Sequence, residues 1–386
     1  MVNGDIFAGG KMLGGTVVDY LWKTIWGGKP EWDCLGELRD CGMNWVRVGV
    51  TTCRDPLLAD TPLEQWGSLE KKRGWSALEY AEAILRDAQE KGLRKNLFFF
   101  LSDKAASGAQ QPAPPEWGGL SVEETAENLR CYCRETTRYF LDQGLIIDLY
   151  DLGNEIERGI AGFFLGDRIQ IPEGVDIQKD IKWMRDNVWK TEAVLLTAAA
   201  EGVRQADSNA KINLHGSCFA LGAGNRLLKG FYQAMADFGV PYDVAGVSYY
   251  WDTVHIYDHG TLAAEKESSD EAYFKTAECR EFVEFITHTL GKRFLFSEFV
   301  YPCYRPENRR AGEDIGYPYT PQGQADWMRD FLKTVMETPE ISGCIYFYPE
   351  YSPRFHDKRY DVLNACGLFR EDYTPNDALL QYRAYR

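Results

Sequence analysis

Eight short apolar runs of strand length alternate with helix-period segments along this chain, and no linker or low-complexity stretch interrupts them. This rhythm constrains the fold more than any other feature, because strands that alternate with helices are parallel strands joined by helical crossovers. Parallel strands covered by helices accept apolar side chains at most positions. The runs 44–50, 96–101, 146–152, 211–215, 242–248, 294–297 and 343–348 have that character. The remaining run is the weakest: Asp5-Ile6-Phe7-Ala8-Gly9-Gly10 reads as a short first strand, with Gly9, Gly10, Gly14 and Gly15 as a loop over the sheet. Those glycines lack the spacing of a phosphate-binding fingerprint. Helical periodicity covers 32–39 (stopped by Gly42), 76–90 (stopped by Gly92), 121–141, 177–206, 226–238, 270–290 and 322–336. Ser121-Val122-Glu123-Glu124 has the form of a capping box, and Thr320-Pro321 that of a cap followed by a first-turn proline. The expectation is an α/β protein: one (β/α)8 TIM barrel over residues 1–386, with residues 1–35 carrying the least pattern.

Composition narrows the partners. Hydrophobic residues make up 45% of the chain, enough for a large core. A formal charge of −15 provides no basic field for nucleic acid or an anionic membrane and favours a neutral ligand. Eleven Trp and 22 Tyr suit a cleft that stacks rings of a ligand as well as a core. The ten Cys show no zinc-finger or ferredoxin spacing and read as buried thiols of a reducing compartment. Residues 1–20 hold no basic segment followed by an apolar one, which reads as cytoplasmic as written and as secreted if a leader has been removed. No apolar run has membrane-spanning length.

Chemistry in such a barrel is expected at the strand exits. The run Ile146-Ile147-Asp148-Leu149-Tyr150-Asp151-Leu152 ends in Gly153-Asn154-Glu155, and Phe294-Leu295-Phe296-Ser297 ends in Glu298. Two strand-end carboxylates are what glycosidic bond cleavage requires, one to protonate the departing oxygen and one to act at the anomeric carbon. The plain alternative is that each Glu caps a helix or joins a surface ion pair. Arg47, inside an apolar strand, needs carboxylate partners and is expected to point inward towards the acidic exits. Asn154 offers an amide to a sugar hydroxyl or caps a turn. His215, at a strand end, steers the proton of Glu155 or satisfies the core. Tyr249, Tyr250 and Trp251 offer hydroxyls and ring faces or pack the rim, and Asp103 binds a hydroxyl or caps the next helix. The five His residues form no HExxH motif or compact triad, so no cofactor is expected; loop carboxylates leave a structural calcium open.

The motifs resemble those of the arabinogalactan endo-β-1,4-galactanases, glycoside hydrolase family 53 of the large retaining (β/α)8 clan. Asn44-Trp45-Val46-Arg47-Val48 is similar to the family's arginine strand, with Asp55-Pro56 following. Leu101-Ser102-Asp103, Gln110, Pro115 and Trp117 echo its third-strand loop, and Gly153-Asn154-Glu155-Ile156 matches its acid/base motif. Ser248-Tyr249-Tyr250 matches strand six, Glu298-Phe299-Val300-Tyr301-Pro302 the nucleophile motif, and Thr320-Pro321-Gln322-Gly323-Gln324 the segment after it. The resemblance covers most of the chain from about 35 onward. It implies a retaining hydrolase of β-1,4-linked galactan with Glu155 as acid/base and Glu298 as nucleophile, and Tyr301 among the substrate-binding residues. The chain departs from the family at the last strand, where Phe347-Tyr348-Pro349-Glu350 stands in place of Tyr-Trp-Glu-Pro. Tyr348 is then expected to stack on the sugar where the family uses Trp. Another β-glycan or an oligosaccharide is the runner-up substrate, and a non-catalytic carbohydrate-binding barrel the reading from a different class.

Overall fold

The computed structural model describes residues 6–17, 32–51, 78–103, 108, 110–218, 223–250, 272–305, 316–351 and 361–386. Eight parallel strands close into a barrel: β1 (Met12–Thr16), β2 (Trp45–Thr51), β3 (Arg94–Phe100), β4 (Leu149–Leu152), β5 (Ile212–Cys218), β6 (Val244–Tyr250), β7 (Arg293–Val300) and β8 (Ile341–Phe347). Neighbours in the chain are neighbours in the sheet, and β8 returns to pair with β1 from Met12↔Gly343 to Thr16↔Phe347. The expected (β/α)8 barrel is therefore the observed one.

The helices follow the capping chemistry. In α1 (Cys34–Cys41) the Asp33 carboxylate accepts from the Gly36 amide, and Gly42 ends the helix at φ 115°. After α2 (Leu78–Glu90), α3 (Val122–Asp142) opens with the capping box, Ser121 and Glu124 satisfying each other's amides. α4 (Lys190–Ala206) continues without a break from Ile181–Met184 through a π turn at Arg185–Trp189. α5 (Ala223–Asp237) and α6 (Ala277–Glu284) follow, and α7 (Pro321–Glu337) starts on the Thr320 cap. The sixth helix thus begins later than its periodicity suggested, because Thr276 caps it by accepting from the Cys279 amide.

Two strand placements need correction. The first strand is Met12–Thr16 and not residues 6–10, with Asp5 outside the described residues, so Gly14 and Gly15 lie within the sheet. Close packing explains their size: a Cβ on Gly14 would stand 3.0 Å from Trp45, and one on Gly15 2.8 Å from Pro349. Ile6 and Phe7 instead pack on a cluster of Met12, Trp45, Leu149, Val244, Leu295 and Ile345 at the strand-entry end. There Phe7 stacks on Trp45 with centroids 6.4 Å apart, and the Arg293 guanidinium sits 4.9 Å from its centroid. Ile6 and Phe7 form a plug and not a strand. β4 is also shorter than its apolar run, since Asp148 turns to accept from the Lys95 amide at 2.9 Å and Ile146 is 65% exposed.

The layer between plug and mouth is polar. Arg47, Asn96, Asp151, Asn213 and Ser297 are all fully buried inside the barrel, and the Asn213 amide donates to Ser297 Oγ at 3.0 Å. Outside the barrel, β6, β7 and α7 share an aromatic shell in which Trp327 stacks on Phe331 at 4.9 Å and Phe299 packs on Phe331 at 4.5 Å.

Candidate active site

Arg47 organises the mouth. It enters from β2 with no exposed surface, so every donor must find an acceptor in protein. Nε donates to Asp151 Oδ2 at 2.8 Å, one Nη to Glu298 Oε2 at 3.2 Å, and the other to Asn154 Oδ1 at 3.1 Å. The Phe98 ring lies under the guanidinium at 3.9 Å. One buried cation therefore holds the exits of β4 and β7 in fixed relation.

The same Nη2 meets His215 Nδ1 at 3.0 Å, which fixes the tautomer. A guanidinium only donates, so Nδ1 accepts and the ring proton is on Nε2. Burial and the Arg47 charge both push the His215 pKa well down, keeping the imidazole neutral. Nε2 then donates to Ser248 Oγ at 2.9 Å, and the Ser248 hydroxyl passes its own proton towards the Glu155 carboxyl. A directed chain runs from Arg47 through His215 and Ser248 to Glu155.

Glu155 itself sits in the left-handed region, at φ 56°, just past Gly153 at φ 83°. Its Oε2 accepts from the Gly108 amide at 2.9 Å. Gln111 pins the turn from below, donating from its amide to the Asn154 carbonyl at 2.8 Å, and is itself held by the Ser102 hydroxyl at 2.7 Å. The side chain is partly exposed at the mouth. Burial of the carboxyl, followed by the charge of Glu298, raises its pKa to about 7 against the opposing hydrogen bonds of Gly108 and Ser248. Glu298 is 3% exposed and its pKa is also raised by burial, but Arg47 and the Tyr250 hydroxyl oppose that rise. Tyr250 donates to Glu298 Oε1 at 2.6 Å. Only Glu298 has a guanidinium and a phenol to stabilise its negative charge, so the environments of the two carboxyls differ in kind.

Of the residues expected at the site, Glu155, Glu298, Arg47, Asn154, His215 and Tyr250 form one network. Asp103 stands at the exit of β3, 8% exposed, with its amide donating to the Pro112 carbonyl at 2.8 Å. Tyr348 lies past β8, partly exposed, stacked on Phe347 at 3.6 Å and on Tyr351 at 5.7 Å. Phe347 in turn meets the Tyr250 ring edge-on at 6.2 Å, which links this aromatic group to Glu298. Two tyrosines are placed elsewhere. Tyr249 is on the outer face of β6, 2% exposed between Phe296, Trp327 and Phe331. Tyr301 is fully buried and stacked on Trp327 at 5.0 Å, its hydroxyl donating to the Tyr317 carbonyl at 2.5 Å. Trp251 lies outside the described residues. Asp151, Ser248 and Gly108 are further members of this network that the sequence reading does not single out as site residues. Ser248 shares the strand face of Tyr250, two positions on, and a buried arginine demands a partner such as Asp151. The Gly108 contact had no local signal. Among the described residues, no three His, Cys, Asp or Glu side chains converge to hold a metal ion, and no helix is long and apolar enough to cross a membrane.

Comparison with known proteins agrees with this geometry. Residues 27–379 match the model of a family described as glycosyl hydrolase family 53. An endo-beta-1,4-galactanase of Bacillus subtilis is 24% identical over 370 residues, covering 90% of this chain and 72% of the relative. An arabinogalactan endo-beta-1,4-galactanase of Humicola insolens is 24% identical over 289 residues, covering 71% of this chain and 73% of the relative. Among solved structures, a fungal beta-1,4-galactanase superposes with a TM-score of 0.72 at 20% identity, covering 97% of this chain and 100% of the other. A family 53 catalytic domain from Ignisphaera aggregans gives 0.70 at 22% identity, covering 96% and 95%.

Proposed function

The chain belongs to glycosyl hydrolase family 53, and on that premise we propose that it is a retaining hydrolase of β-1,4-linked galactan. The observation that carries the reading is the asymmetry of the two carboxyls. Glu155, with its pKa raised to about 7, keeps a proton to deliver near neutral pH. Glu298, bonded to Arg47 and Tyr250, is held as the anion that attacks the anomeric carbon. Protonation of the leaving oxygen by Glu155 and attack by Glu298 give a glycosyl-enzyme intermediate. Glu155, now a base, activates the water that releases the sugar. The neutral His215 and the Ser248 hydroxyl orient the Glu155 carboxyl in both halves of the cycle.

The galactan assignment draws on the names of the relatives. The aromatic set Phe347, Tyr348 and Tyr351, with Tyr348 in place of the expected indole, favours a second reading in which another β-glycan or an oligosaccharide fills the same cleft. Hydrolysis of galactan, mannan, xylan and β-glucans with product analysis separates the two. Roles are tested with E155A and an activated aryl β-glycoside. Azide is expected to rescue its deglycosylation and give the β-glycosyl azide, since two inversions still occur. An α-azide from E155A would mean that the two roles are exchanged.

A further inference from the structure

Two residues past Glu155, the chain carries a second carboxylate that the chemistry above does not use. Glu157 is 1% exposed. Its Oε2 accepts from the Ser217 amide at 2.7 Å, and its Oε1 is bonded to the Ser217 hydroxyl, both on β5. Its carbonyl accepts from Trp189 Nε1 at 2.8 Å, tying it to the helix that leads into α4. The next residue grips the opposite side: Arg158 donates to the Gly108 carbonyl at 3.0 Å, and the Gly108 amide is the one that donates to Glu155. Ile156, between them, donates to the His215 carbonyl at 3.0 Å. Thus three successive residues after Glu155 are anchored to β5 and to the segment at 108.

Behind Glu157 lies Glu192 of α4, fully buried, with neither carboxyl oxygen hydrogen-bonded among the described residues. With no donor to stabilise an anion and Glu157 facing it, Glu192 keeps its proton far above the usual carboxylate range. Both oxygens of Glu157 engage Ser217, and the Arg158 Nε is 3.8 Å away, so hydrogen-bond donors gather on Glu157 and not on Glu192 among the described residues.

We propose that Glu157 is a positioning residue that fixes the Glu155 loop to β5 and sets a second buried carboxyl on the same turn as the acid/base; this rests on reading Glu155 as the acid/base. The groups facing Glu155 are Glu298 from β7, Ser248 from β6 with His215 of β5 behind it, the Gly108 amide, and Glu157 on its own loop. Arg47 of β2 and Asp151 of β4 reach it through His215 and Asn154. Tyr232 of α5 also lies within the field of Glu157. Among these, Glu298 and Glu157 are the carboxyls that oppose loss of the Glu155 proton.

The pH profile of kcat/KM on galactan and on an activated aryl β-galactoside, measured on the full chain, tests this. E157Q keeps the shape and removes the carboxyl; its alkaline limb is expected about half a unit or more below that of wild type. E157D keeps the carboxyl and shortens the reach, so its limb stays while kcat falls more on galactan than on the aryl substrate. An unmoved limb in E157Q, or an equal shift in both variants, overturns the proposal. Where circular dichroism shows that E157Q does not fold, S217A stands in: roughly threefold or greater loss of kcat on galactan is expected from the loosened clamp, and no loss overturns the proposal. If wild type hydrolyses no β-glycoside, the proposed function fails instead.

Discussion

Tyr249 and Tyr250 are consecutive residues of one strand, yet they belong to different parts of the molecule. Tyr250 faces the mouth and donates to Glu298. Tyr249 faces outward into the shell of Phe296, Trp327 and Phe331, and burial raises its phenol far beyond any working pH. In the shell, aromatic rings pack on one another, and a hydroxyl such as that of Tyr301 is satisfied by backbone. At the mouth, Tyr250 and Asn154 are held by hydrogen bonds to charged side chains. In a barrel strand buried on both faces, the alternation of side chains sends one tyrosine into the shell and its neighbour to the mouth.

Substitutions can break this contrast. The largest effect is expected at the mouth: E298A should lose about 10³-fold or more in kcat/KM with a modest fall in Tm, since Arg47 keeps Asp151 but loses a buried acceptor. A large loss of Tm in E298A would mean that the anion also holds the barrel together. Next comes the shell, where Y249A should cost about 3–5 kcal/mol in denaturant unfolding and leave the specific activity of the folded fraction intact. A selective loss of kcat there would place Tyr249 in the site after all. Y250F, one position on, should invert that result, with roughly a 10- to 100-fold loss in kcat and little change in stability.

A finer test uses Glu192, behind the mouth. Its folded pKa lies well above the value of a free glutamate, because burial disfavours the anion. The folded state therefore keeps a proton that the unfolded chain releases. The stability associated with that proton is fully present below the unfolded pKa and falls by about 1.4 kcal/mol per pH unit above it, until the folded pKa is reached. E192Q cannot ionise and should gain on wild type as pH rises from about 4.5 to 8 in urea unfolding. A gap that does not change with pH would show that Glu192 is ionised in the fold. The smallest effect is Y348A, expected to lower kcat/KM by somewhat more than about threefold through lost ring contact with the sugar.

What was legible in the chain follows the same division. Glu155 and Glu298 could be found because a carboxylate closing an apolar strand run is a local pattern, and Arg47 because a charge inside such a run must be partnered. Tyr249 and Tyr301 were misjudged as site residues because apolar runs in doubly covered strands show no alternation to reveal which face a tyrosine takes. The first strand was misplaced because Gly14 and Gly15 resemble a loop, and only the approach of Trp45 and Pro349 explains them. Gly108 and Ser217 had no signature, since their roles depend on contacts across 47 and 60 positions of sequence.

Glu155 and Tyr348, just past the ends of β4 and β8, hold left-handed backbone at φ 56° and 54° without being glycine. Each such residue costs on the order of 1 kcal/mol or more. A lineage selected only for thermal persistence would drift to glycine or asparagine at both places, as neither turn itself needs a long side chain. Glutamate and tyrosine there are places where the proposed chemistry has to outweigh a local cost in stability. Libraries screened by heat alone will tend to recover hardened barrels that have lost their mouth.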